Sequence, residues 1–250
     1  MNDPVKQFAT ERDERIKTLG DDKALQNESR ALIHKAFQRK YMYNFSWLGR
    51  PIIQFPADMV AMQEIIWTVQ PDLIIETGIA HGGSLILSAS LLELNAACGG
   101  PKDARVIGID IDIRAHNRAL IEAHPMARRI DMLQGSSVDA DIVAQVKSAA
   151  ADKSSVLVFL DSNHTHEHVS AELAAYAPLV TVGSYCVVFD TVVEDMPGDT
   201  FPDRPWSPGN NPKTAVHDFV KNRPEFEVDR AMSTKLMITA VPDGFLRRVR

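Results

Sequence analysis

The sequence has only two cysteines, no long apolar run and no excess of basic residues. Cys98 and Cys186 cannot build a disulfide framework, so we expect a protein of a reducing compartment, the cytoplasm. No run of about 18 apolar residues occurs and the start lacks a secretory pattern, which predicts no membrane span. Lys and Arg total 27 against 33 Asp and Glu, a net charge of −6. Nucleic acid is therefore not an expected partner, because phosphate binding needs a basic surface.

Apolar residues make up 45% of the 250-residue chain, which is ample for a globular core. Charges are concentrated at the start, since residues 1–40 carry 16 of the 60. An apolar stripe at helical spacing in that segment predicts two short helices broken near Gly20. We predict a helical extension over residues 1–55 that covers either the domain or a neighbouring subunit, and we expect a homo-oligomer.

From residue 56 onward the pattern is that of one α/β domain, residues 56–250. A helix is predicted from Pro56 to Val69, and short apolar runs then alternate with helix-length segments. Runs that are apolar on both faces are typical of strands in a buried parallel sheet, and the alternation predicts a doubly wound, Rossmann-like sheet. The runs are 73–76, 106–110, 130–133, 156–161 and 185–190; the helices are 83–95, 115–123, 139–150, 166–177 and 212–222. The final runs, 226–230 and 235–249, predict an antiparallel edge, the second folding back at a Pro-Asp-Gly turn.

Four of the five runs end in a carboxylate, namely Glu76, Asp110, Asp161 and Asp190. In open α/β sheets, ligands bind at the carboxyl ends of the strands. A crevice shared by these four acids explains the pattern better than chance does.

The first run is followed by Glu76-Thr77-Gly78-Ile79-Ala80-His81-Gly82-Gly83-Ser84. Glycines allow a sharp turn and a close approach to a ligand, and the next helix offers free N–H groups. The Gly-x-x-x-Gly-Gly spacing differs from that of dinucleotide binders and resembles motif I of class I S-adenosylmethionine-dependent methyltransferases. We predict that Glu76, Gly78, Gly82 and Ser84 bind this cofactor; a plain tight turn is the alternative.

The next two junctions offer polar groups for the rest of the cofactor. Asp110 ends the second run, where a carboxylate would accept the hydroxyls of an adenosine ribose. Ser136 and Ser137 follow the third run and suit the adenine end, although a helix N-cap would explain them equally well.

The fourth junction reads Asp161-Ser162-Asn163-His164-Thr165-His166-Glu167-His168. Asp161 ends a strand at the cofactor crevice and can hold a metal, and His164 can face the same opening as a base. Asp190 at the fifth junction can meet Asp161, and such an oxygen-rich pair suits Mg²⁺. We predict that His166 and His168 are helix-surface residues, since no full zinc motif accompanies them.

Six segments together resemble the family labelled cephalosporin hydroxylase, which despite its label is similar to methyltransferases. The resemblance spans roughly residues 40–250, and related members are rhamnosyl and macrolide sugar O-methyltransferases. The segments are 54–58, 76–84, 161–168, 190–191, 211–216 and 242–246, of which the Asp-Ser-Asn-His-Thr block is the most specific.

The resemblance implies an S-adenosylmethionine-dependent O-methyltransferase that acts on a hydroxyl of a sugar or a glycosylated natural product. It implies His164 as general base and Mg²⁺ held by Asp161 and by an adjacent Glu-Asp pair. In this chain the pair reads Phe189-Asp190, so metal-free or weakened catalysis is an alternative. An NAD-linked oxidoreductase and an iron hydroxylase using His164, His166 and Asp161 are further alternatives.

Overall fold

The protein alternates helices and short strands along residues 3–250, which a computed structural model describes. The helices are α1 (Pro4–Asp21), α2 (Lys23–Gln38), α3 (Pro56–Val69), α4 (Gly83–Ala97), α5 (Ala115–Glu122), α6 (Ala140–Ala150), α7 (His166–Tyr176), α8 (Pro212–Lys221) and α9 (Arg230–Leu236). The strands are β1 (Phe45–Trp47), β2 (Arg50–Ile52), β3 (Leu73–Thr77), β4 (Arg105–Asp110), β5 (Ile130–Gln134), β6 (Val156–Leu160), β7 (Tyr185–Val188), β8 (Phe226–Val228) and β9 (Phe245–Arg248). Among these residues, no helix is both long and apolar enough to cross a bilayer.

Seven strands form one sheet in the order β5-β4-β3-β6-β7-β9-β8. Strands β3 to β7 are parallel, whereas β9 runs antiparallel to both β7 and β8. The predicted doubly wound sheet with an antiparallel edge is therefore confirmed. The strand order reverses between β3 and β6, and ligands bind in α/β sheets at such a switch point.

Both faces of the sheet are buried, which explains the continuous apolar runs. Alternate side chains of β3 point to opposite faces, because successive residues of a strand do so. Ile74 packs in the cluster that includes residues of α3 and α4. Ile75 packs in the cluster that includes residues of α6, α7 and α8.

The N-terminal segment forms two helices and a hairpin. The helices meet at Asp22, whose carboxylate accepts a hydrogen bond from Leu25 N (2.9 Å), which confirms the predicted break. The hairpin β1–β2 was not predicted, because three-residue strands are too short to show a periodicity. It is fastened to α4 by a bond from Trp47 Nε1 to Ser90 Oγ (2.9 Å).

The prediction that residues 235–249 form a strand folding back on itself was wrong. Helix α9 occupies the start of that run, capped by Asp229, and only β9 is a strand. The predicted turn exists but packs against the sheet, since a Cβ on Gly244 would lie 2.2 Å from the Val188 carbonyl oxygen. The turn therefore leads into β9, which pairs with β7 and β8 and not with the segment before the turn.

The loop after β3 touches the end of β6 at Gly78. Its φ is +90°, and a Cβ there would lie 2.0 Å from the carbonyl oxygen of Asp161. Only glycine fits this conformation and this distance, so Gly78 fixes the spacing between the two strand ends at the switch point.

Replacing Gly78 by Ala should destabilise the protein far more than replacing Gly49. Gly49 has a similar φ of +85°, but a Cβ there would meet no atom of residues 3–250 within 4 Å. Gly49→Ala should therefore lower the free energy of unfolding only by the strain of the left-handed conformation, about 1–2 kcal/mol. Gly78→Ala should add a steric penalty of about 1–3 kcal/mol. Urea unfolding of both variants measures the difference, and equal losses would contradict the close approach.

Candidate active site

Asp161, His164 and Asp190 come together at the carboxyl edge of the sheet. One ligand atom from each lies within 4.8 Å of the others, and His164 Nε2 is 3.0 Å from Asp190 Oδ2. Asp161 follows β6, His164 precedes α7 and Asp190 follows β7. Adjacent parallel strands thus bring together three residues that the sequence predicted as catalytic or metal-binding.

Asp190 adopts a left-handed backbone conformation with φ +53°. Such a conformation is uncommon for a residue other than glycine, and Asp is among those that tolerate it best. Asp190 lies just after Phe189, whose backbone N–H donates to Leu160 O (2.9 Å). The turn directs the chain away from the sheet immediately after β7, where strained residues often serve a site.

The imidazole of His164 is held by an aromatic neighbour. The ring centroids of His164 and Trp206 lie 4.7 Å apart in an edge-to-face arrangement. The guanidinium of Arg204 lies 5.2 Å from the Trp206 ring, on the same loop. Packing by Trp206 and the bond to Asp190 together restrict the orientation of His164.

A cavity of about 510 Å³ opens beside His164. Its walls come from several parts of the chain: the end of α2 and the segment after it, the segment before α3 with Asp58 of α3, the junction between β6 and α7, the long loop after β7, and Ala240 before β9. Phe37 and Phe201 join two of these parts, with ring centroids 5.8 Å apart. Lining residues include Phe37, Lys40, Tyr43, Gln54, Asp58, Thr200, Phe201 and Trp206. Residues within the predicted N-terminal extension therefore help to enclose the site.

Asp58 is a buried carboxylate in the wall of this cavity, and no sequence pattern assigned it a role. Its oxygens accept bonds from Thr239 Oγ1 and from the backbone N–H of Ala240 (2.9 Å). Burial raises the pKa of Asp58 to about 7, although these two hydrogen bonds act to lower it. The charge of Asp190 adds to the rise. Asp58 therefore ties the segment before β9 to α3.

The cluster of Asp161, His164 and Asp190 has the chemistry of a site for a hard cation. Burial raises the pKa of Asp161 well above its usual range, and the charges of Asp190 and Glu76 raise it further. Mg²⁺ prefers carboxylate oxygens and commonly keeps several waters, and Asp161 and Asp190 offer oxygens of this kind. Phe189 offers no ligand where the resemblance implies a carboxylate; its ring packs in the core at 6.1 Å from that of Phe159.

A second pocket, of about 200 Å³, contains four of the predicted cofactor-binding residues. Gly78, Asp110, Ser136 and Ser137 line it together with Ser162, which also lines the larger cavity. Ser162 thus stands between the two spaces.

The other four residues predicted to bind the cofactor, Glu76, Gly82, Ser84 and Asp161, do not line this pocket. A glycine at position 82 has a structural cause. A Cβ on Gly82 would lie 2.4 Å from Ile121 on α5, at a φ of +83°. The glycine run after Gly78 is thus explained by helix packing as well as by any ligand.

Asp110 shapes the loop that forms one wall of the smaller pocket. Its Oδ2 accepts bonds from the backbone N–H groups of Ile79 (2.8 Å) and Ala80 (3.2 Å). Buried Arg50 holds the same loop by donating to the His81 carbonyl (3.0 Å) and to Asn117 Oδ1 (2.9 Å). The loop is therefore fixed from both sides before any ligand binds.

The prediction that His168 is a helix-surface residue was wrong, whereas the side chain of His166 is 36% exposed on α7. His168 lines the smaller pocket, with Nε2 3.1 Å from both Ser137 Oγ and Ser162 Oγ. His166 is half-buried, and its Nδ1 lies 2.8 Å from Thr214 Oγ1 on α8. His168 points inward because the first turn of α7 packs against the loop after β5, whereas His166 lies at the edge of the contact with α8. With His166 engaged there, the iron-site alternative loses its second histidine.

Glu76 is buried beneath the loop at the end of β3. Ser88 Oγ donates to Oε2 (3.1 Å), whereas Oε1 has no partner among residues 3–250. Burial raises the pKa of Glu76 to about 7, and hydrogen bonds from Ser84 and Ser88 oppose the rise. A buried carboxylate suits a ligand that carries positive charge, as S-adenosylmethionine does.

Sequence comparison gives the family. The family model described as Rhamnosyl O-methyltransferase/CmcI matches residues 39–249. The rhamnosyl O-methyltransferase of Mycobacterium leprae is 28% identical over 220 residues, covering 86% of this chain and 88% of the relative. That of Mycobacterium tuberculosis is 28% identical over 226 residues, covering 86% and 85%.

Structure comparison agrees on the fold. A structure of CmcI with Mg and SAM gives a TM-score of 0.56 at 20% identity, covering 83% of this chain and 78% of that one. TomG from Streptomyces achromogenes with SAM gives 0.52 at 18% identity, covering 80% of each. The family match, together with this fold, identifies an S-adenosylmethionine-dependent O-methyltransferase. Within that class, the chain belongs to the rhamnosyl O-methyltransferase/CmcI family.

The buried Glu76 should make stability fall as the pH rises. Its folded-state pKa of about 7 exceeds the usual 4.5, so the folded protein binds the proton more tightly than the unfolded chain. The stabilisation is complete below pH 4.5 and is lost as the pH approaches 7, by on the order of 3 kcal/mol.

Glu76→Gln should therefore show a smaller decline than the wild type, since its side chain stays neutral while the raised pKa values of Asp58 and Asp161 still contribute a decline of their own. Urea unfolding without cofactor at pH 5 and pH 8 measures the change for each protein. Exposed Glu227→Gln is the control and should retain the decline of the wild type. A Glu76→Gln variant with an unaltered pH dependence would show that Glu76 is ionised in the folded protein.

Proposed function

We propose that the protein transfers a methyl group from S-adenosylmethionine to a hydroxyl of a sugar or a glycosylated natural product, with His164 as the general base. The observation that carries this proposal is the 3.0 Å pair of His164 and Asp190, set in a cavity that meets the predicted cofactor pocket at Ser162. A base, an acceptor space and a cofactor space thus adjoin one another.

Asp190 orients the base. We infer that His164 donates its Nε2 proton to Asp190 Oδ2, which leaves Nδ1 as the basic nitrogen. The carboxylate also stabilises the imidazolium that forms when Nδ1 takes a proton, as in other carboxylate–histidine pairs.

The reaction requires alignment and proton removal. S-adenosylmethionine supplies a methyl group on positively charged sulfur. The acceptor oxygen forms a bond to the methyl carbon as the C–S bond breaks, and the electron pair of that bond stays on sulfur. His164 takes the hydroxyl proton at Nδ1, which contributes about 10²–10⁴-fold to the rate. Holding both reactants in place can lower the barrier by about 7–11 kcal/mol.

Each remaining residue has a proposed part. Asp161 and Asp190 would hold Mg²⁺, which when bound would make the acceptor hydroxyl more acidic. Glu76, Gly78, Asp110, Ser136 and Ser137 would bind the cofactor, with Asp110 facing the ribose. Gly82 and Ser84 would contribute through the start of α4.

A sugar acceptor suits the walls of the larger cavity. Phe201 and Trp206 line it, aromatic side chains pack well against sugar rings, and polar groups lie beside them. The mycobacterial relatives with 28% identity are themselves rhamnosyl O-methyltransferases. Phe201 and Trp206 also shield the reacting hydroxyl from water, which strengthens electrostatic interactions at the site.

Replacing His164 by Gln should lower methyl transfer by about 10²–10⁴-fold without changing cofactor affinity. The glutamine keeps much of the ring's volume but cannot accept the proton. The assays are transfer from labelled S-adenosylmethionine to p-nitrophenyl α-L-rhamnopyranoside, and calorimetry of S-adenosylhomocysteine binding. Exposed His116→Gln should behave as the wild type. Full activity in His164→Gln would remove His164 from the mechanism.

Activity should fall in a chelator and return with added Mg²⁺. Only two carboxylates serve as ligands, so the Mg²⁺ concentration needed should be high for a site of this kind. Asp161→Asn should abolish the response, whereas Asp199→Asn on the exposed loop should keep it. Undiminished turnover in chelator would establish a metal-independent reaction.

A further inference from the structure

Gln54 carries a buried amide in the wall of the acceptor cavity. The residue is 7% exposed, and its Oε1 has no hydrogen-bond partner among residues 3–250. It lines the same cavity as His164 and Asp161. Leaving a buried polar group unpaired costs about 1–3 kcal/mol of folding free energy. The protein without a bound acceptor is therefore less stable with glutamine at position 54 than with an apolar side chain of the same size.

The backbone on either side holds Gln54 in place. Ile52 and Phe55 are buried in the core at 2% and 1% exposure. Strand β2 rests on the start of α4, where a Cβ on Gly83 would lie 2.2 Å from the Pro51 carbonyl oxygen. With these anchors, the backbone of Gln54 is fixed beside the cavity that its side chain lines. An occupant of the cavity therefore lies next to this amide.

A second unpaired polar atom lines the same cavity. Thr200 Oγ1, on the loop after β7, is also buried without a partner in the described part of the chain. An amide both donates and accepts hydrogen bonds, and so does a hydroxyl. The two groups suit an acceptor that presents hydroxyls in addition to the one that reacts.

We propose that Gln54 hydrogen-bonds a non-reacting hydroxyl of the acceptor and thereby determines specificity for a polyhydroxylated sugar. The proposal rests on the proposed function and deepens it. A sugar that lacks this hydroxyl leaves the amide of Gln54 unpaired in the complex, so it is a poorer substrate. Gln54 is a specificity-determining residue, and the chemistry remains with His164.

Gln54→Met tests the proposal, because methionine has a similar length and no hydrogen-bonding amide. The variant should keep or raise the Tm, since it removes an unpaired buried group. Its kcat/KM for p-nitrophenyl α-L-rhamnopyranoside should fall about 10- to 100-fold, as expected for one lost hydrogen bond. Affinity for S-adenosylhomocysteine should not change.

Ser184→Ala is the matched control. Ser184 Oγ is also buried and unpaired within residues 3–250, but it precedes β7 at the end of that strand opposite the site. Its removal should leave kcat/KM for the rhamnoside at the wild-type value. The Tm should again be kept or raised.

Monodeoxy analogues of the rhamnoside complete the test. The wild type should discriminate against the analogue that lacks the recognised hydroxyl, and Gln54→Met should lose this discrimination at that position alone. An unchanged kcat/KM in Gln54→Met, or a drop in Tm with discrimination intact, overturns the role of Gln54 while leaving the proposed function standing. A wild type inactive on the rhamnoside and on other glycosides overturns the sugar assignment and this proposal together.

Discussion

The contact between Gly78 and the carbonyl of Asp161 is the constraint on which the site depends. It joins the loop after β3 to the end of β6, at the place where the strand order reverses. No side chain separates the backbone at Gly78 from that at Asp161. The smaller pocket and the larger cavity therefore adjoin at Ser162. Direct transfer between two bound reactants requires this proximity.

The surrounding residues hold that contact in place. Asp110 and Arg50 bind the loop after β3 from opposite sides, and Arg50 comes from a hairpin that precedes the domain boundary predicted from sequence. Phe37 likewise reaches the loop after β7 through Phe201. The N-terminal segment therefore contributes to the walls of the site.

Negative charge and unpaired polar groups at the site lower the stability of the free protein. Burial raises the pKa values of Glu76 and Asp58 to about 7, and that of Asp161 well above its usual range. Carboxyl groups kept in such surroundings cost folding free energy unless a partner arrives. A cationic cofactor, a divalent cation and a polyhydroxylated acceptor are partners of matching chemistry.

The sequence by itself determined the sheet, the four acids at the strand ends and the Asp161–His164 block. These follow from local rules, because strand periodicity, helix breaks and turn residues depend on near neighbours. Only the tertiary structure decided that His168 faces the smaller pocket, that a Cβ on Gly82 would meet Ile121 of α5 and that Gln54 Oε1 has no partner among residues 3–250. Each of these depends on contacts between segments far apart in the chain, which no local pattern records.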